Sequence, residues 1–309
     1  MPRIVFAGSS DFAVPTLSAL LERGWQLAGV LTQPDRPAGR RRRLSPTPVR
    51  DFADARGLPV QTPARLRGPG PLEALASLQP EVMVVVDYGL ILPPAVLALP
   101  PAGCINGHAS LLPRWRGAAP VQHAILAGDS LTGVSVMQMD RGLDAGPVYK
   151  SQSIRIGPVE TGGELRIRLA QLCARLLVET LPEILAGRLV AKVQDEAVVT
   201  VAPKLDPAAA ELDWRGEAVE LARRIRAFSP RPGAWTSWRG SRLKLHRAVA
   251  LAESGAEPGR VWRAGESGID VAAGHGSVRL LELQAAGGRV LAARDFLNGR
   301  PMLGARLGV

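Results

Sequence analysis

Residues 3–32, RIVFAGSSDFAVPTLSALLERGWQLAGVLT, decide the fold. The stretch RIVFA at 3–7 is apolar after Arg3 and stops at Gly8, the pattern of a buried strand. A polar turn, Ser9-Ser10-Asp11, follows. From Ala13 to Arg23 apolar residues recur at helical spacing, with Pro15 in the first turn, where its missing N–H costs nothing. After Gly24, LAGVLT at 27–32 reads as a second strand. A strand, a helix and a strand at this spacing predict parallel pairing, because parallel neighbours need a crossover. VMVVV at 82–86 reads as a central strand and GCING at 103–107 as a short one. Residues 132–138 and 148–156 alternate as strands, with helices over 118–127 and 163–186. The expected class is α/β, with an open, mostly parallel, Rossmann-like sheet. Gly8 stands alone, without G-x-G-x-x-G, which argues against a nicotinamide or flavin cofactor.

Between these elements, residues 33–48 hold four prolines and a glycine, which predicts a loop without regular structure. The composition shifts near Pro203–Pro207. Beyond it come one helix, 217–228, and short strands at 233–238, 242–250, 258–263, 268–273 and 277–284. That spacing predicts a small barrel or sandwich. We therefore expect two domains, 1–203 and 204–309.

Composition narrows the class. Of 309 residues, 46% are apolar, enough for a sizeable core and too many for a disordered chain. The two cysteines, Cys104 and Cys173, exclude a disulfide scaffold and fit a reducing, cytoplasmic setting. The start of the chain lacks the apolar core of a signal peptide. The longest uncharged stretch, 88–113, is broken by Pro93, Pro94, Pro100 and Pro101 and cannot cross a bilayer as one helix. The net charge is +10, and the shorter C-terminal part carries more of the excess. A basic protein attracts polyanions, of which nucleic acid is the common one.

Of the four histidines, His108 is the best placed for chemistry, just past a strand in the region where open α/β sheets hold ligands. Asn106 lies two residues earlier, so both side chains leave an extended chain on the same side. An amide that can hold an oxyanion beside an imidazole that can move a proton is an acyl-transfer pair. A carboxylate is needed to orient the ring. Asp140 and Asp144, in MQMDRGLDAGP at 137–147, are the candidates, and turn chemistry is the competing explanation for both. Cys104 and His108 lack a second pair of soft ligands, so no metal is expected. A serine nucleophile is disfavoured by the lack of G-x-S-x-G.

The segments FAGSSDFAVP (6–15), LTQPDRPAGRRRRLSPTPV (31–49), VVVDYGLILP (84–93), INGHASLLPRWRGAAP (105–120), GVSVMQMDRGLDAGP (133–147) and RIRAFSPRPGAW (224–235) resemble, in that order, the methionyl-tRNA formyltransferase family. GIDVAAG at 268–274 and AARDFLNG at 292–299 extend the resemblance across the chain. The resemblance implies an open α/β domain followed by an OB-like β-barrel. It implies transfer of formyl from 10-formyltetrahydrofolate to methionine on initiator methionyl-tRNA, without a metal, by a cytoplasmic monomer. By position it implies Asn106, His108 and Asp144 as the catalytic trio. It implies Ser110, Leu111, Leu112, Pro113 and Tyr88 at the folate, and Arg36, Arg40, Arg41, Arg42 and Arg43 at the tRNA. Residues 1–203 would then hold the folate and the aminoacyl end, and 204–309 would bind tRNA.

The chain departs from that family's pattern in three places. Asp87 replaces a small apolar residue, which puts an acid near the expected folate pocket. Gly107 replaces a valine, which would add backbone freedom between Asn106 and His108. Ser9-Ser10 replaces Thr-Pro. Two other functions stand beside the first: a folate-dependent formyltransferase acting on a small amine, which would share the trio, and a catalytically impaired RNA-binding protein, which Asp87 and Gly107 suggest.

Overall fold

The computed structural model describes residues 2–38 and 43–309. The chain runs β1 (Ile4–Gly8), α1 (Val14–Glu22), β2 (Leu27–Leu31), β3 (Arg36–Ala38), β4 (Arg43–Ser45), α2 (Pro48–Asp54), β5 (Val60–Gln61), α3 (Pro69–Ser77) and β6 (Val82–Val86). It continues through α4 (Pro94–Leu97), β7 (Cys104–His108), α5 (Pro120–Ala127), β8 (Leu131–Gln138), β9 (Val148–Arg155) and α6 (Gly162–Leu185). Then come α7 (Ala218–Phe228), β10 (Trp235–Trp238), β11 (Ser241–Leu251), β12 (Val261–Gly265), β13 (Gly268–Ala272), β14 (Ser277–Ala285), β15 (Leu291–Ala292) and α8 (Ala293–Leu297). By internal contacts the chain divides into two compact units: 1–117 with 133–154 and 167–201, and 118–132 with 155–166 and 202–309.

The first unit is built on a sheet of order β5-β2-β1-β6-β7-β8-β9. β5, β2, β1, β6 and β7 are parallel, and β8 runs antiparallel to β7. β1 and β6 are buried at every position, as central parallel strands covered on both faces must be. From β1 the chain builds outward to β2 and β5, and from β6 it builds the other way to β7. The switch point therefore lies between β1 and β6, where the paired residues Gly8 and Val86 end the two strands. Such a crevice at the carboxyl ends of the strands is where open α/β sheets bind ligands.

β7 serves two surfaces at once. Alternation puts Cys104, Asn106 and His108 on one face and Ile105 and Gly107 on the other. A Cβ at Gly107 would come within 2.4 Å of Cys173 Sγ and 2.8 Å of Leu177 Cδ1, both on α6. Gly107 is not among the residues with left-handed φ. The expectation of added backbone freedom is corrected: the glycine supplies space, letting α6 lie close against the strand.

The loop expected over 33–48 is also corrected in part. β3 and β4 pair antiparallel, Arg36 opposite Ser45 and Pro37 opposite Leu44. A two-stranded ribbon asks each strand for only one set of partners, so Pro37 is tolerated there as on a sheet edge.

The second unit carries the antiparallel sheet β10-β11-β14-β13-β12, with β15 added to β14. The small β domain expected of the C-terminal part is this sheet. α7 buries Leu221, Ala222, Ile225 and Phe228 along one stripe. Within the sheet, Asp270 is buried but paired with Arg279 through two bonds of 2.7 and 2.9 Å, which compensate its lost hydration. Among the described residues no helix is long and apolar enough to cross a membrane.

The close fit at Gly107 makes a testable claim. Gly107→Val should cost about 1–3 kcal/mol in urea denaturation through overpacking. Adding Cys173→Ala, which removes the sulfur that the new methyl groups would strike, should recover part of that loss. Strictly additive effects of the two changes would show that the contact carries no strain.

Candidate active site

His108 closes β7, and its ring is 7% exposed. Nε2 donates to the main-chain carbonyl of Trp115 at 3.0 Å. Nδ1 stands 3.6 Å from Asp144 Oδ2. The same carboxylate oxygen accepts from the backbone N–H of Gly117 at 2.8 Å. Each ring nitrogen thus faces an acceptor from a different stretch of chain. Trp115 and Asp144 both hold left-handed backbone, φ 64° and 49°, an uncommon state for residues with a side chain. The amide of Asn106, half-buried on the same strand face, makes no hydrogen bond among the described residues.

Asp144 is the carboxylate brought to the ring. Asp140 is exposed, and its Oδ1 accepts from Gly142 N at 2.8 Å, which is turn chemistry. The remaining histidines have ordinary structural roles. His246 lies between Ser229 Oγ and Gln284 Oε1, with burial pushing its pKa down. His123 Nε2 donates to the carbonyl of Pro203, and the exposed His275 stands 3.8 Å from Glu217.

The turn after β7 is braced from β8. Ser135 Oγ donates to the carbonyl of Ser110 at 2.8 Å and accepts from Leu112 N at 3.0 Å. Ser110 is fully buried and spends its hydroxyl on the carbonyl of Arg114. Leu111, Leu112 and Pro113 are partly exposed. Tyr88 is 2% exposed, in a core cluster with Leu75, Val96 and Cys104. Burial raises its phenol pKa, and its hydroxyl finds no partner among the described residues.

Around the switch point the loop ends are stitched together. Ser9 Oγ donates to the carbonyl of Tyr88 at 2.8 Å and accepts from Gln33 N at 3.1 Å. Gln33 Nε2 donates to the same carbonyl at 2.9 Å. A trough of about 570 Å³ is lined by Leu66, Leu72, Ile91, Leu92 and Pro94, with Arg67 and Arg141 also in its wall. Ile91 is 79% exposed there. Arg141 shares the loop between β8 and β9 with Asp144. Sequence reading did not single out Leu66, Arg67, Leu72 or Arg141 for this trough. Arg36 is exposed on β3. Arg40, Arg41 and Arg42 lie outside the described residues, and of Arg43 only the backbone is described.

The fold and this constellation define a class. Residues 2–181 match the formyl transferase family and residues 204–301 its C-terminal domain. The chain belongs to that family. It is 50% identical over 307 residues, 99% of both chains, to the methionyl-tRNA formyltransferase of Methylococcus capsulatus. It is 55% identical over 300 residues, 96% of this chain and 97% of the other, to the methionyl-tRNA formyltransferase of Xanthomonas campestris pv. campestris. The fold is shared with HypX of Aquifex aeolicus, solved in complex with tetrahydrofolic acid (TM-score 0.66, 16% identity). That match covers 98% of this chain and 48% of the longer HypX chain.

Ser135 should prove structural for the turn that follows His108. Ser135→Ala leaves the carbonyl of Ser110 and the N–H of Leu112 without their partner, and should cost about 1–3 kcal/mol in urea denaturation. A loss below a few tenths would mean that water replaces the hydroxyl.

Proposed function

We propose that this chain transfers the formyl group of 10-formyltetrahydrofolate to the α-amino group of methionine carried by initiator tRNA. One observation carries the reading. The imidazole of His108 is held between Trp115 and Asp144, with the free amide of Asn106 on the same strand face, at the carboxyl ends of the parallel strands. Near-full-length relatives at 50–55% identity that bear the methionyl-tRNA formyltransferase name support the substrate pair.

Three side chains carry the chemistry. The neutral amine attacks the formyl carbon, and charge builds on the formyl oxygen. Asn106 donates to that oxygen, and His108 adds its positive edge. Asp144 orients the ring and compensates the charge that the ring takes up with a proton. As the tetrahedral intermediate collapses, the bond from the formyl carbon to the folate nitrogen breaks, and His108, or a water beside it, passes the amine's proton to that nitrogen. No covalent bond to the protein is required.

The donor supplies an activated one-carbon group on a flat aromatic frame with a carboxylate tail. The trough suits such a frame: its walls are aliphatic, and Arg67 and Arg141 can meet carboxylates. Leu111, Leu112, Pro113 and the main chain around Tyr88 would complete the wall nearer His108. The first 203 residues would thus hold the donor and the aminoacyl end, in the cytosol where initiator tRNA is charged.

Residues 204–309 would hold the RNA. Arg239 lies over Trp238, Arg242 over Trp235, Arg263 over Trp262 and Arg300 over Phe296, all at 4.0–5.1 Å from the ring centroids. Trp238 and Phe296 are themselves 5.9 Å apart. Cations preset over aromatic faces suit phosphates and bases together. Arg36 and the run Arg40 to Arg43 would add cations at the acceptor end.

The deciding experiment measures formyl transfer from the folate donor to methionyl-tRNA, with small amines as competing acceptors. Asn106→Ala and His108→Ala should each lose turnover by about 10²–10³-fold while keeping tRNA affinity. Equal turnover with a small amine would overturn the tRNA assignment. In a second measurement, replacing Arg239 and Arg242 by Ala should weaken tRNA binding and flatten its salt dependence. The log–log slope should fall by about one unit for each phosphate that these arginines neutralise. An unchanged slope would remove them from the interface.

A further inference from the structure

Past α6, residues 192–201 form a strap that is exposed except at one buried side chain, Gln194, and at half-buried Thr200 and its neighbour Val199. One end is fixed to β9, where Lys192 and Val148 exchange two backbone hydrogen bonds of 2.8 Å. The other end lies along the turn after β7. There Thr200 Oγ1 accepts from Trp115 N at 2.8 Å, and the carbonyl of Thr200 accepts from Arg116 N at 2.9 Å. Between the two ends, Gln194 uses both halves of its amide. Nε2 donates to the carbonyls of Asp144 at 2.8 Å and Gly146 at 2.7 Å, and Oε1 accepts from Arg116 Nε at 3.0 Å. Arg116 is 7% exposed and forks onto Glu196 of the same strap at 2.8 and 3.2 Å, which holds the Glu196 carboxyl below its usual range.

The two residues gripped by the strap are the two that face the His108 ring. Trp115 supplies the carbonyl opposite Nε2, and Asp144 supplies the carboxylate opposite Nδ1. Both sit in left-handed backbone, which the chain does not adopt without support. We propose that Gln194 and Thr200 are positioning residues of the transfer reaction, which set the orientation of His108 by fixing its two partners from one strap. The proposal rests on the reading of His108 as a catalytic group. Neither residue touches the reacting atoms. A side chain buried with every polar atom engaged holds its targets to a fraction of an ångström, and a misplacement of about 1 Å at a reacting group costs on the order of 10²-fold in rate.

The test is a kinetic cycle on the full chain. Gln194→Ala and Thr200→Val should each lower kcat by about 10–100-fold, with KM for folate and for tRNA changed less than about twofold. Thr200→Ser, which keeps the hydroxyl, should restore kcat. Placed on His108→Ala, Gln194→Ala should cost little more, because residues acting through one another are not additive. Thr200→Val with parental kcat, or a kcat loss in Gln194→Ala that multiplies fully with that of His108→Ala, would overturn the strap's role and leave the site reading standing. Parental turnover in His108→Ala alone would overturn the site reading, and the strap with it. If Gln194→Ala fails to fold, Gln194→Glu keeps the acceptor for Arg116 and puts a carboxylate oxygen in place of the donor to Asp144 and Gly146. It should show the same kcat loss, and parental kcat there would again overturn the proposal.

Discussion

The missing side chain at position 107 is the constraint on which the site depends. β7 has to do two things that usually compete. Its inner face must lock against a helix, and its outer face must present polar groups without being pulled out of register. At Gly107 the helix α6 comes so close that even one carbon would collide with Cys173 and Leu177. Close-packed interiors transmit displacement. A strand held that tightly on one side gives Asn106 and His108 a rigid base on the other. Burial pushes the Cys173 thiol up to about 12, so it stays a neutral packing group in that contact.

The polar side of the site is rigid for a different reason. Five non-glycine residues among those described have left-handed φ, and three of them are Asp87, Trp115 and Asp144. Each such residue costs on the order of 1 kcal/mol or more unless its surroundings hold it there. Here the supports are visible. Asp144 is tied by its own carbonyl and by its carboxylate, and Trp115 by its N–H and its carbonyl. Left-handed backbone on both sides of one imidazole, matched by hydrogen bonds from several segments, holds that ring in one orientation. The apolar contact at Gly107 and the polar ties at 115 and 144 fix the same ring from opposite sides of the strand.

What the sequence makes legible follows from range. β1, α1 and β2 can be read because period, glycine and proline are local signals, and the structure places them within a residue or two of the expected bounds. Asn106 and His108 can be read because alternation along a strand is local too. The choice between Asp140 and Asp144 cannot be, since both sit in the same glycine-rich loop and only the fold decides which one meets the ring. The strap is less legible still. Gln194 reaches Arg116 across 78 positions and Thr200 reaches Trp115 across 85, in a segment with no periodicity to announce it. The grouping of 118–132 and 155–166 with the C-terminal sheet is a property of contacts, not of composition.

The two features that argued for a decayed enzyme bear on this point. Gly107 widens the chain's options only if the space beside it is empty, and that space is filled by Cys173 and Leu177. Asp87 threatens a ligand pocket only if its charge is loose. Its carboxylate instead accepts from the hydroxyl of Ser10, and its carbonyl accepts from Ser9 N at 3.2 Å. Ser9 and Ser10 are themselves the third departure, so the changes at 87 and at 9–10 are two halves of one contact across the switch point. Each of these positions is accounted for by its surroundings: the space at Gly107 is taken by Cys173 and Leu177, and the Asp87 carboxylate by the hydroxyl of Ser10.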